Sequence, residues 1–123
     1  MTELLLVGLG GGIGAMGRYM IGKIPIADIP YPVNTFIINV AGAFLIGLFM
    51  AAGSRLNIGD SRLILFLTTG ICGGFSTLAA LSAESLTMLQ SGRFLACLLY
   101  CTATFAVCIT ATYVGTCVAR IGL

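Results

Sequence analysis

The chain has no histidine and no tryptophan, and only 8% of its 123 residues are charged. Soluble domains carry about 25%. Without histidine there is no imidazole to ligate a metal or to shuttle protons. With so little charge there is no polar shell: 59% of residues are hydrophobic and the mean hydropathy is +1.10. No soluble core in so short a chain absorbs that much apolar surface. These figures describe an integral, multi-pass membrane protein. The net charge of +2, with no basic tract, excludes nucleic acid as a partner. No nucleophile–base pair or metal set is visible, so an enzyme is not expected. Five cysteines (Cys72, Cys97, Cys101, Cys108, Cys117) lie in apolar segments. Cys97 and Cys101 are four apart, and nothing completes a zinc or redox pattern. They read as small apolar packing residues.

What charge there is divides the chain. The spacing predicts membrane helices over about 4–24, 34–53, 63–90 and 94–119, in a single all-α membrane domain covering 1–123. Each run approaches or exceeds the roughly 20 residues a spanning helix needs. All three prolines fall in one connector, "PIADIPYPV", with Asp28. "SRLNIGDSR" and "SGR" make the other two turns. The first run is not expected to be a signal peptide, because Glu3 replaces a basic flank and Arg18 interrupts the cleavage region. Four spans place Arg55, Arg62 and Arg120 on one side and Arg18, Lys23 and Arg93 on the other. That near balance gives the positive-inside rule little to act on and suits insertion in both orientations. A bundle this small does not readily enclose a wet pathway alone. Gly8/Gly12, Gly10/Gly14 and Ala43/Gly47 fit close helix packing, partly within the subunit and partly across a dimer.

Polar groups in hydrocarbon are expensive and point to function. Thr35 and Asn39 share a helix face. Asn39 either bonds a neighbouring helix or turns its amide N–H groups to an ion path. Tyr100, Thr104, Cys108, Thr112 and Thr116 recur every four residues along the last span. A single threonine there commonly bonds its own i−4 carbonyl, but the stripe is continuous. Arg18, near the far end of the first span, either snorkels to headgroups or draws anions into a vestibule. Glu84 lies too deep for an ordinary structural carboxylate.

The segment "TTGICGGFSTLAALSAES" (68–85) is an odd membrane helix. Gly70, Gly73 and Gly74 weaken it and accept unusual backbone angles. Ser76 or Thr77 can cap a restarting helix. Two half-helices meeting near 73–77 are predicted. Irregular backbone at membrane depth survives only inside protein or beside a wet cavity. Its freed carbonyls can hold a cation, while half-helix N-termini favour an anion.

In "GGGIGAMGRY" (10–19), "NTFIINVAGAFLIG" (34–47), "TTGICGGFST" (68–77), "SAES" (82–85) and "QSGRF" (90–94), the chain resembles the CrcB/Fluc fluoride channels over its whole length. The resemblance implies a dual-topology antiparallel dimer in the cell membrane that passes fluoride passively and protects the cell from it. It implies a structural sodium ion, Na+, at the dimer centre, held by backbone carbonyls that fall at Gly73 and Ser76. It also implies an ion pathway through Arg18, Thr35, Asn39, Glu84, Tyr100 and Thr104.

The chain departs from that family at one place. The family usually reads Thr-Thr-Phe-Ser-Thr-Phe-Ser after its Gly-Gly-x. Here Leu78 and Leu81 stand for the two phenylalanines, and Ala79 and Ala80 for the hydroxyl residues between them. A ring edge can meet an anion, whereas leucine cannot. A pore contribution degraded at Leu78, Ala79, Ala80 and Leu81 suggests a subunit working with an unlike partner. The competing reading is a homodimer with an altered pore. Outside this family, a small dual-topology proton-coupled exporter of the multidrug-resistance type has similar size. Its key acid belongs in the first helix, where this chain has none after Glu3. A non-conducting partner subunit is the third reading.

Overall fold

A computed structural model describes residues 1–26 and 32–122; Asp28 and Pro30 of the proline connector lie outside them. The described residues are helical throughout, with no strand. The elements are α1 (Thr2–Gly22), α2 (Val33–Arg55), α3 (Arg62–Leu65), a π-helical segment (Phe66–Cys72), α4 (Gly73–Phe75), α5 (Leu78–Gln90) and α6 (Phe94–Gly122). The stretch from α3 to α5 forms one interrupted span. With α1, α2 and α6 it makes four segments long and apolar enough to cross a membrane. The third of them is broken, as the sequence predicts.

Two tight turns end helices in the same way. Asn57 (φ 56°) and Gly92 (φ 76°) adopt the left-handed conformation. After α2, Asn57 N–H donates to Ser54 O and Ile58 N–H to Gly53 O. After α5, Gly92 N–H donates to Leu89 O and Arg93 N–H to Met88 O. Both are Schellman motifs, which satisfy helix-end carbonyls while reversing the chain. Asn34, not singled out in the sequence, ties α2 to the end of α1: its Nδ2 donates to Ile21 O (2.8 Å) and Ile24 O (2.6 Å).

Packing rests on backbone-to-backbone approach. α1 lies on the interrupted span, and α2 pairs with α6. A Cβ on Gly10 would lie 2.8 Å from Phe66 O, and one on Gly14 would collide with Ile71 O. One on Gly74 would collide with Gly11 O. In the other pair, a Cβ on Gly47 would strike Thr112 O, and one on Gly115 would strike Phe44 O. Thr112 Oγ1 also donates across this seam to Ala43 O at 3.0 Å. Of the small-residue pairs seen in the sequence, Gly10/Gly14 makes such a contact with the third span, and Ala43/Gly47 makes one with α6. Gly8 and Gly12 have nothing within 4 Å of a hypothetical Cβ.

The glycines of the third span therefore serve a different purpose from the one expected. Gly73 is ordinary right-handed helix (φ −64°, ψ −36°), and Gly70 and Gly74 also avoid the left-handed region. Gly70 and Gly74 are small because α1 presses against them. The interruption itself is only two residues long: Ser76 (φ −80°, ψ 153°) and Thr77 (φ −146°, ψ 114°) are extended.

Candidate functional site

At the interruption, side chains replace the missing helical bonds. Thr77 Oγ1 accepts from Ala80 N–H at 3.1 Å and caps α5. Ser76, the other candidate cap, instead turns its hydroxyl back to Cys72 O at 3.1 Å. Asn39 reaches over from α2 and meets both backbone groups of Thr77. Its Oδ1 accepts from Thr77 N–H (2.8 Å), and its Nδ2 donates to Thr77 O (3.3 Å). Arg18 Nε donates to Gly74 O at 3.2 Å from the α1 side. Arg18 is thus bonded to α4, two residues before the interruption.

These bonds redistribute donors. In an unbroken α-helix the N–H of Thr77 would go to Gly73 O and that of Ala80 to Ser76 O. Here the first goes to Asn39 and the second to the Thr77 hydroxyl. The two carbonyls at the positions where the resemblance places a cation lose their usual partners. Gly73 and Ser76 are exposed on the subunit face. They border a groove of about 300 Å³ whose walls include Asn39, Thr77, Leu78 and Thr104. Carbonyl oxygens suit a hard cation, so the donor set fits sodium.

A second polar group lies where α5, α6 and the start of α2 meet. Thr35, in the first turn of α2, lies beside the Glu84 side chain. Tyr100 lies within electrostatic reach of the same carboxylate. Glu84 Oε1 and Tyr100 Oη are both buried without a partner among the described residues. Orphaned polar atoms are costly, and each needs an explanation. Thr35, Glu84 and Tyr100 thus come together. Asn39 and Thr104 line the groove at the interruption instead.

The threonine stripe behaves differently from what its continuity suggests. Thr104, Thr112 and Thr116 donate to the carbonyls of Tyr100, Cys108 and Thr112 at 2.7, 3.0 and 3.0 Å. Thr104 and Thr116 commit their hydrogens to their own helix, and Thr112 shares its hydrogen between Cys108 O and Ala43 O of α2, which leaves Tyr100 as the stripe's unpaired hydroxyl. The four residues in doubt also separate. Leu78 is 68% exposed, whereas Leu81 is 6% exposed and packs with Met88, Cys97 and Tyr100. Ala79 is exposed and Ala80 half-buried.

The sequence profile described as "CrcB-like protein, Camphor Resistance (CrcB)" matches residues 5–116. The chain belongs to the CrcB family. It is 37% identical over 122 residues to a Geobacter sulfurreducens protein called "Fluoride-specific ion channel FluC", with 98% of each chain covered. A Flavobacterium psychrophilum protein of the same name is 34% identical over 122 residues, again with 98% of each covered. "Fluoride-specific ion channel FluC 1" of Yersinia pseudotuberculosis is 41% identical over 93 residues, 75% of this chain and 73% of that one. Within this CrcB-family chain, the interrupted third span falls entirely inside the matched region.

Proposed function

We propose that the chain is a subunit of a passive fluoride channel that lets fluoride leave the cell. The observation that carries this reading is end-to-end similarity to proteins named as fluoride-specific channels. The interruption in the third span, clamped by Asn39, supports it. The multidrug-exporter alternative is not favoured: Glu84 lies on α5, and α1 carries no acid beyond Glu3. The proposed role is transport, not catalysis.

The working unit is an antiparallel dimer of dual topology in the cell membrane. The groove at the interruption opens on the subunit surface, so a partner seated there would bring two interruptions together. Gly73 O and Ser76 O of each would hold one structural sodium ion. The ion would supply a fixed positive charge at the dimer centre and lock the two subunits together. Arg18, Asn39, Thr35, Glu84, Tyr100 and Thr104 form the pathway, with the Tyr100 hydroxyl donating to the anion.

Leu78 and Leu81 favour an unlike partner that supplies the missing rings, over a homodimer. The numbered name of the Yersinia relative is what chains occurring in pairs would produce. The test is fluoride efflux from liposomes followed with a fluoride electrode. Efflux that runs without a proton gradient supports a channel, and efflux that requires one rejects it. Purified alone the chain should pass little fluoride. Full flux from the single chain would overturn the unlike-partner reading and leave the channel itself standing.

A further inference from the structure

Cys97 and Cys101 are one helical turn apart on α6, and Ser85 of α5 lies against them. Ser85 Oγ and Cys101 Sγ are 3.2 Å apart. Cys97 lies one turn before Cys101 on the same helix. Cys97 is buried and Cys101 half-buried; both thiols are free. They adjoin an apolar cluster containing Leu81, Met88 and Phe36. Such a pair is more than filler, because i and i+4 side chains project from one face of a helix. Two sulfurs there act as one bidentate ligand.

The surroundings determine what that ligand would take. Among the described residues, no three His, Cys, Asp or Glu side chains form a metal-holding group, which rules out the four-ligand site of structural zinc. Thiolate selects soft ions, and two thiolates suit an ion content with two ligands in a line. Charge narrows the choice. A monovalent ion with two thiolates leaves a net negative charge among apolar side chains, which is expensive. A divalent ion with two thiolates is neutral.

We propose that Cys97 and Cys101 form a two-sulfur site for a soft divalent cation of the Hg(II) class, with the Ser85 hydroxyl bonding the Cys101 sulfur. Binding breaks two S–H bonds, forms two metal–sulfur bonds and releases two protons, with no change in oxidation state. The site does not depend on conduction or on a partner subunit. Cys72, Cys108 and Cys117 have no second cysteine three or four residues away in the sequence and would hold the ion through one sulfur.

The experiment adds one equivalent of Hg(II) to the purified chain in detergent, followed by a millimolar monothiol competitor and gel filtration. One mercury per chain should remain in the wild type and in Cys117→Ser. Cys97→Ser and Cys101→Ser should each lower retention by about a hundredfold, the advantage of an intramolecular second ligand. X-ray absorption at the mercury edge on wild-type protein should count two sulfur neighbours, a readout that does not depend on the variants folding. A single sulfur shell, loss of mercury from the wild type, or undiminished retention in both pair variants would each overturn the proposal.

Discussion

The interruption at Ser76–Thr77 and the wall around Tyr100 treat polar groups in opposite ways. At the interruption, Thr77 N–H, Thr77 O, Ala80 N–H and Gly74 O each meet a named partner. What is released is carbonyl oxygen, an acceptor suited to a cation. At the wall, a phenol hydroxyl and a carboxylate oxygen are left buried and unpaired. The phenol can donate, which suits an anion. The interruption is therefore built for stability, and the wall gives up stability for exchangeable bonding. Substitutions at the first should damage folding, and those at the second should damage flux.

The largest effect is expected at Gly74. A methyl there collides with the Gly11 backbone, and backbone cannot step aside as a side chain does. Gly74→Ala should cost about 3 kcal/mol or more, at the upper end of overpacking, and should lose the monodisperse gel-filtration peak. Gly12→Ala, with open space around it, is the control and should leave the peak unchanged. Equal behaviour of the two would remove the close α1 contact from the account.

Asn39 comes next. Asn39→Leu strands Thr77 N–H and O, and a buried donor left without a partner costs about 1–3 kcal/mol. Asn39→Asp keeps the acceptor for Thr77 N–H, so it should unfold less readily than the leucine variant. It should still pass less fluoride, because it can place a fixed negative charge beside the anion. If aspartate proves as destabilising as leucine in thermal unfolding, the clamp at Thr77 is not what holds α2 to the interruption.

Thr77→Ala removes a helix cap and should cost about 1 kcal/mol, while Thr77→Ser keeps the hydroxyl and should be near neutral. The smallest stability change belongs to the wall. Tyr100→Phe deletes a hydroxyl that has no partner, so melting should stay the same or rise slightly, while fluoride efflux falls. A clear drop in melting with efflux intact would reverse the roles assigned to the two regions.

Leu78 and Leu81 sharpen the same contrast. Leu78 has room outside the subunit, whereas Leu81 is packed against Tyr100. Leu78→Phe should be tolerated and Leu81→Phe should cost about 1–3 kcal/mol by overpacking. If these positions are the degraded part of the pore, the exposed one should recover more flux when changed.

Much of this architecture was legible in the sequence because its signals are strong and local. Apolar runs of spanning length mark the helices, and Gly10/Gly14 marks a helix contact. The Ser76-Thr77 pair announces a cap, and Gly-Gly-Phe-Ser-Thr announces an interruption. Less legible was anything fixed by tertiary contact. Gly70 and Gly74 look like helix breakers until α1 is seen against them. Asn34 looks like a loop residue until its bonds to Ile21 and Ile24 are seen. Ser76 and Thr77 are equivalent in sequence, and only the chain's direction after the interruption selects Thr77 as the cap. The threonine stripe is periodic for helical reasons, and its hydroxyls bond their own backbone, with Thr112 also reaching Ala43 O of α2. Cys97 and Cys101 pass for packing until Ser85 is found beside them.

The π-helical segment from Phe66 to Cys72 sets a phase. A π turn closes its hydrogen bond one residue later than an α turn, so everything downstream is rotated relative to a plain α-helix. One residue is about 100° of rotation at 3.6 residues per turn. Gly74 against Gly11 and Thr77 against Asn39 both lie downstream and take their facing from that offset. The segment thus holds a spare residue, and a single deletion within it is absorbed by a return to α turns that keeps the downstream phase.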